Sequence, residues 1–496
     1  MLIFLPVIVP IIISFLIFLC GEKRYTLRYI FLFIASIFDF AVVVFIMPLV
    51  LKQSLPPFIL LQTTFFNLGF KVDVFSILLA MVVTFLWIFT NSYSIGYMGK
   101  SHSLRRYYTS LSFCEGAAIG IIFAADLFTL FVFYELLTIS VFPLVIHEET
   151  EEASRSGIMY LVYTLSGGAM ILFGCFITHS LTAGQIEFTP GGIPGLAGQN
   201  KAVLYLLFIL FTAGFGVKGA LVPLHAWLPR AMVAPTPISA LLHAVAVVNV
   251  GTYGLIRMIY DIFGKDLFLK LHLNTVLALG CVVTILGAAV IALRQRQLKK
   301  LLAYSTINQL GYVVLGAASL NYYTLTGGLV HIMYHSIMKI SLFYAVGMII
   351  TFKGKTRISQ LSEISKEMPV TMACFVIGAL GIVGLPPMAG WISKWNLVKG
   401  HLLINEPVLA IVFLINTVIE LAYFLPPILY AYFGVREEIT ALAEKTLLQE
   451  KGGLEAPLNM LLPLVVVTIL SFTFGFIGSL PYVLSHKAAA ELLMLK

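Results

Sequence analysis

The sequence predicts an all-α polytopic membrane protein of about fourteen transmembrane helices, and three observations predict it. Hydrophobic residues make up 60% of the chain and charged residues only 11%, with a mean hydropathy of +0.99, whereas a soluble globular domain carries about 25% charged residues. Apolar runs of about 20 residues, enough to cross a hydrocarbon core, recur along the whole chain. The lysines and arginines gather in alternate loops, as the positive-inside rule requires. The net charge of +8 does not indicate a nucleic-acid partner, because the cations fall in short loops and form no basic, aromatic-interleaved patch.

Spans are expected near 2–20, 29–51, 73–97, 107–124, 126–146, 157–179, 201–220, 236–260, 273–293, 303–320, 324–352, 369–398, 407–434 and 458–480. The first, MLIFLPVIVPIIISFLIFLC, has no cation before it and GEKRYTLR after it. That is the reverse of a secretory signal, so it is expected to stay as a spanning helix with its N-terminus outside. In that orientation nineteen of the 31 lysines and arginines lie in cytoplasmic loops, eight lie opposite, four lie in the membrane, and both termini are on the outer side. Cys20, Cys114, Cys175, Cys281 and Cys374 occur singly, with no CxxC pair, and read as small core residues.

Lys218, Lys339 and Lys394 each interrupt a spanning run, where an ammonium costs roughly 2.5–3.5 kcal/mol. Retaining three of them points to the movement of charge. Lys218 is followed by Pro223 and Pro229 in KGALVPLHAWLPR, and Lys394 is preceded by Pro386 and Pro387 in GLPPMAGWISK. Proline removes a backbone donor and opens a helix, so helices seven and twelve are expected to be broken. Interrupted helices in matching places of two halves point to an inverted repeat with an ion path at its interface. The halves would be helices four to eight (107–260) and nine to thirteen (273–434), after an N-terminal unit (1–106) and before a segment with helix fourteen (435–496). Ordinary proline kinks are the alternative.

Glu135, in FVFYELLTISVFPLV, is a lone carboxylate near the middle of helix five. Unpartnered it would hold a proton; paired with Lys218 it would form a charge switch or a purely structural ion pair. HIMYHSIMK places His331, His335 and Lys339 at four-residue steps on one helical face. Neutral imidazole accepts at one nitrogen and donates from the other, which suits proton passage. A metal site lacks a third ligand nearby, and satisfied core histidines are the plainer alternative. His243, in ISALLHAVAVVNVGTYG, lies where it can link Lys218 to this stripe. Glu115 in helix four and Glu420 in helix thirteen are further intramembrane carboxylates, candidates for a connection to a neighbouring subunit or, for Glu420, for pairing within the fold.

VKGALVPLHAWLPRAMVAPTPISALLHA, QLKKLLAYSTINQLGY, HSIMKISLFYAVG and GLPPMAGWISKW resemble the signature stretches of the antiporter-like membrane subunits. That family comprises the proton-conducting subunits of respiratory complex I, the large subunits of Mrp-type cation/proton antiporters, and subunits of membrane-bound hydrogenases and formate hydrogenlyases. The resemblance covers roughly residues 70–430 and implies a fourteen-helix fold with two inverted five-helix repeats. It further implies that Glu135 and Lys218 are the charged pair of the first half, that His243, His331, His335 and Lys339 belong to a hydrated central axis, and that Lys394 is the far station. It implies a place in a prokaryotic plasma membrane beside other integral membrane subunits. Where many relatives carry a lysine in helix eight this chain has Asn249. The chain ends soon after helix fourteen, which leaves no room for a long lateral helix, and YELLTISVFPLVIHEETEEA is more similar to hydrogenase-associated or antiporter-type members.

The expected function is proton translocation along a buried Lys/Glu/His relay, driven by redox chemistry in partner subunits. No nucleotide loop, cluster-ligand set or redox motif occurs, so no catalytic site, cofactor or metal is expected in this chain. Two alternatives are a subunit of a secondary sodium/proton antiporter or bicarbonate-uptake complex, and a non-transporting membrane anchor that docks partners through REEITALAEKTLLQEKGG.

Overall fold

The computed structural model describes residues 1–52, 55–63, 66–99, 101–434, 455–477 and 479–495. The expected docking segment at 436–453 lies outside the described residues. The chain runs α1 (Leu5–Cys20), α2 (Tyr25–Lys52), a hairpin of β1 (Phe58–Gln62) and β2 (Asn67–Phe70), α3 (Val74–Met98), α4 (Leu104–Ile122), α5 (Leu127–Val145), α6 (Glu151–Leu181) and α7 (Lys201–Lys218). After a short helix at Trp227–Arg230 come α8 (Thr236–Phe263), α9 (Leu273–Leu293), α10 (Leu298–Ala318) and α11 (Tyr322–Lys353). α12 is two pieces, Pro369–Val383 and Ala389–Leu403, followed by α13 (Pro407–Phe433), α14 (Leu458–Ile477) and α15 (Ser479–Leu492).

Among the described residues twelve helices are long and apolar enough to cross a bilayer. The two remaining positions of the expected fourteen are α4, which carries Arg105, Arg106 and Glu115, and the split α12. Helices are the natural spanning form because every backbone group is satisfied within the segment. Their starts are set by side-chain caps that take an otherwise orphaned N–H: Asp73 accepts from Ser76 N at 2.8 Å, Asp126 from Thr129 N at 2.7 Å, and Asn321 from Tyr323 N at 2.9 Å.

Apolar residues all round a helix mean enclosure or lipid, and both cases occur. α6, α9 and α13 expose Val162, Phe173, Leu279, Val283, Leu414 and Val418 along one side. α8, α10 and α11 are enclosed by the rest of the bundle, and it is these inner helices that carry His243, Asn249, His331, His335 and Lys339, all buried. The burial against lipid-facing neighbours therefore puts the polar residues at the centre of the molecule.

Both expected breaks are present, and each exposes a carbonyl that finds a new donor. α7 ends at Lys218; the indole Nε1 of Trp227 donates to Val217 O at 2.8 Å, and Val222 N donates to Thr284 Oγ1 on α9 at 3.0 Å. The first piece of α12 ends at Gly384, whose φ of +82° fits the left-handed turn. There the carbonyl of Val383 accepts from Lys394 Nζ at 2.9 Å. A Cβ on Gly384 would sit 2.7 Å from Lys394 Cδ, so glycine is what lets this lysine fold back on the break.

Candidate functional site

The second half carries a bonded polar run. Lys394, on the second piece of α12, pairs directly with Glu420 of α13 and also lies 5.1 Å from the centre of the Tyr312 ring. The other oxygen of Glu420 accepts from Gln309 Nε2 at 2.5 Å and from Asn416 Nδ2 at 2.7 Å. Gln309, on α10, receives His331 Nε2 at its own Oε1, 3.0 Å away, and His331 Nδ1 meets Ser393 Oγ at 2.8 Å. An amide oxygen only accepts, so His331 Nε2 carries a proton in this arrangement. The contacts thus join α11, α10, α13 and α12 in one chain of side chains: His331, Gln309, Glu420, Lys394.

The stripe on α11 extends this run toward the molecule's centre. The His331 and His335 rings lie 6.0 Å apart and nearly parallel, with an interplanar angle of 23°. Both nitrogens of His335 are buried without a protein hydrogen-bond partner. Lys339, one turn on, donates to Ser305 Oγ at 2.8 Å and Leu302 O at 3.2 Å, both on α10. His243 meets the same stripe a turn further, its ring 5.2 Å from that of Phe343, and its two nitrogens are likewise unpartnered. His243 lies in a π-helical turn, Leu241–Val245.

Asn249 closes that turn. Its Nδ2 donates to Ala244 O at 3.0 Å, to Val245 O at 3.2 Å and to Ser336 Oγ on α11 at 3.0 Å. A wide turn leaves carbonyls without their usual donor, and an amide satisfies two at once, which a lysine's point charge would do less selectively. The residue therefore ties α8 to α11 beside His335.

The first half is built differently. Lys218 is fully buried, donates to the carbonyl of Tyr134 at 2.6 Å and stands 3.4 Å over the centre of the Tyr134 ring. Glu135 follows Tyr134 on α5, yet no ion-pair contact within 4.0 Å joins it to Lys218; its two oxygens are enclosed without a hydrogen-bond partner. The expected pair is therefore two neighbouring charges and not a direct bridge, because the ammonium's reach is spent on the backbone and ring of the preceding residue. Room for Glu135 comes from Gly168 on α6, where any Cβ would collide with the carboxylate. Lys218 and His243 are not in contact either: the backbone of Lys218 packs on Gly251, eight residues along α8 from His243, roughly 12 Å.

Glu115 does not face a free outer surface of the described residues. It is buried beside Asp39 of α2, and all four oxygens of the two groups lack hydrogen-bond partners. The sequence reading passed over Asp39, which sits in the middle of the apolar run at 29–51 and was visible as its lone acid. It also passed over Gln309 and Asn416, which hold Glu420, and Arg257's role as a clamp. Arg257 on α8 bridges Asp261 and Asp73 at 2.7 Å each, and Nε donates to Tyr253 OH at 2.9 Å. Burial pushes the carboxyl of Asp73 up, but the Arg257 charge and the bonds from Arg257 and Ser76 more than offset it and hold it below the usual range.

Neutral imidazoles, amines and carboxyls in contact are able to exchange protons without any redox or nucleophilic step. Residues 124–420 match the family described as NADH:quinone oxidoreductase/Mrp antiporter, transmembrane region, and residues 58–108 match the N-terminal family of complex I chain 5. The NADH-quinone oxidoreductase subunit N of Desulforudis audaxviator is 32% identical over 368 residues, covering 73% of this chain and 72% of that protein. The Na(+)/H(+) antiporter subunit A1 of Staphylococcus haemolyticus is 29% identical over 441 residues; the match spans 84% of this chain but only 53% of that protein. A chain of the Mrp complex from a Dietzia species superposes with a TM-score of 0.86 at 20% identity, over 99% of this chain and 97% of its own, so the fold is shared.

Proposed function

This chain belongs to the NADH:quinone oxidoreductase/Mrp antiporter transmembrane family, and on that premise we propose that it is the proton-translocating, antiporter-like subunit of a multisubunit membrane complex. Its partners are other integral membrane subunits of a complex I-like or Mrp-like assembly. The observation that carries the reading is the unbroken contact run from His331 through Gln309 and Glu420 to Lys394, buried at the centre of a bundle with a lipid-facing exterior.

In this reading a proton enters from the cytoplasmic side, the side of the cation-rich loops. It passes among Lys218, His243, His335, His331 and Lys339, and leaves beyond Lys394. A proton given up on the His331 side and taken by Glu420 releases Lys394 from its partner; loss of that proton outward beyond Lys394 returns Glu420 to the carboxylate, and a new proton at His331 restores the amide-bridged state. Glu135 acts on Lys218 through space, so its charge sets when that lysine gives up its proton. The work is about 2.3 kcal/mol per charge for each 100 mV, and partner subunits or a counter-ion gradient supply it.

Replacing Lys218 with Ala in the assembled complex, reconstituted in vesicles, is expected to abolish proton movement while leaving assembly intact. Transport at the native rate would return the chain to the role of a membrane anchor. A second reading, sodium/proton exchange, draws on the antiporter subunit aligned over 84% of the chain. Sodium-dependent proton flux in the same vesicles distinguishes it from proton movement alone.

A further inference from the structure

On the face where α5 ends and α6 begins, a cavity of about 610 Å³ opens toward the inner helices. Its wall includes Glu151 and Glu152 of α6, Arg155 one turn on, Arg230 at the end of the short helix after the α7 break, and Lys299 and Lys300 of α10. Lys299 differs from the others. It is half-buried, and its ammonium donates to Ala234 O at 2.6 Å and Met232 O at 3.0 Å, the backbone that leads into α8. Glu148 lies within electrostatic reach of it. One helical turn further along α10 is Leu302, whose carbonyl, with Ser305 Oγ, holds the ammonium of Lys339.

From this placement we infer that Lys299 is the entry station of the path, and that protons join the relay at Lys339 from this cavity, with Lys218 gating their passage through its charge instead of admitting them. The inference rests on the proton-translocating reading above and specifies its mouth. The carboxylates Glu148, Glu151 and Glu152 collect protons from bulk solvent. One of them, as the acid, gives its proton to the unprotonated amine of Lys299, leaving a carboxylate and an ammonium. Lys299 then gives its proton inward to the neutral amine of Lys339, whose holding carbonyl lies a single turn along α10, roughly 4.5 Å of helix rise; Lys339 becomes the ammonium and Lys299 returns to the free amine that the next acid loads. Ser305 Oγ, which both accepts and donates, is the relay atom on the inner side. The bonds to Ala234 and Met232 keep the ammonium at the cavity floor, so the station loads only from this face. Arg155, Arg230 and Lys300 are the remaining charges around the cavity; Arg155 pairs with Glu151 on the rim.

The test uses the whole complex in vesicles. A Lys299→Gln variant is expected to lower proton flux at least tenfold while Lys299→Arg, which keeps the charge and the carbonyl bonds, preserves assembly but does not restore flux, since a guanidinium does not release its proton. Because Lys299→Gln also removes two bonds to the start of α8, a second variant touches only the rim. Glu151→Gln with Glu152→Gln is expected to slow flux several-fold above about pH 8, where proton supply limits, and to leave it near native at pH 6.5. If Lys218→Ala abolishes flux while the Lys299 variants and the rim variant all run at the native rate and pH profile, the entry assignment is overturned and the translocating role stands. If Lys218→Ala leaves flux intact, the translocating role itself is overturned.

Discussion

The two halves of the molecule hold a lysine and a glutamate in opposite ways. In the second half Lys394 and Glu420 touch, and every oxygen of the carboxylate has a donor from Lys394, Gln309 or Asn416. In the first half Lys218 is turned onto Tyr134, and Glu135 waits beside Gly168 with nothing bonded to it. The lysines also sit on opposite sides of their breaks: Lys218 is the last residue before one, and Lys394 reaches back across the other to its final carbonyl. A closed pair is costly to separate and an open one is easy to perturb, so the second half is built to hold charge and the first to respond to it.

The largest difference between the halves should appear in stability. Removing one member of a buried, bonded ion pair strands the other, which costs about 3–5 kcal/mol. Lys394→Met is therefore expected to lower the thermal stability of the purified complex strongly, Lys218→Met far less, and Lys394→Met with Glu420→Gln to recover much of the loss. Equal losses for Lys394→Met and Lys218→Met would erase the distinction between closed and open pairs.

Cutting the amide between His331 and Glu420 comes next. Gln309→Leu leaves the carboxylate short of one donor, about 1–3 kcal/mol, and should reduce proton flux more than it reduces stability, whereas Gln309→Glu should place two acids together and do both. In the first half Glu135→Gln should cut flux at least tenfold with no measurable change in unfolding temperature. A parallel fall in both would mean that Glu135 is bonded after all. Gly168→Ala should displace the Glu135 carboxylate and slow flux several-fold, with Gly167 left as it is.

The smallest effect is one of pH. His147 follows α5, stacked on His102 at 4.7 Å, and burial, with the nearby His102 and Arg106 charges, pushes its imidazole down to about 4. The folded chain thus refuses a proton that the unfolded chain takes near 6.5. The stability this gives is complete above pH 6.5 and is lost as pH falls toward 4. Mild acid should loosen the α5 end of the first half before it affects the α12–α13 pair, and hydrogen exchange at pH 5 against pH 7 reads that order.

Much of this arrangement is legible in the sequence. Prolines beside Lys218 and Lys394 mark the breaks because no other residue both lacks the donor and blocks the preceding turn. Four-residue spacing puts His331, His335 and Lys339 on one face because a helix allows nothing else. The fourteen helices follow from runs of fixed length in a bilayer of fixed thickness. What spacing does not carry is which helices become neighbours. Gln309 is an ordinary amide until α10 meets α13 and brings it to Glu420, whereas Asn416, one turn before Glu420 on α13, is readable from its spacing; Asp39 is a stray acid until α2 meets α4. The same blindness led to a bridge being expected between Glu135 and Lys218, since proximity of helices does not say which oxygen an ammonium will choose. Asn249 stands in the sequence only as the residue where many relatives carry a lysine, and its role as the filler of a widened turn depends on a π-helical segment that apolar periodicity does not announce.

The clamp on Arg257 carries a mechanical consequence. Asp73 and Ser76 pin α8 to the start of α3 through Arg257, which Asp261 and Tyr253 brace from α8 itself, while toward the other end the helix is unwound into a wider turn at His243, whose carbonyls are held by the amide of Asn249. An enclosed rod fixed at one pivot and slack at the other can swing at its loose tip alone, so any motion of α8 would be delivered to the imidazole of His243 and to no other ionisable group on that helix.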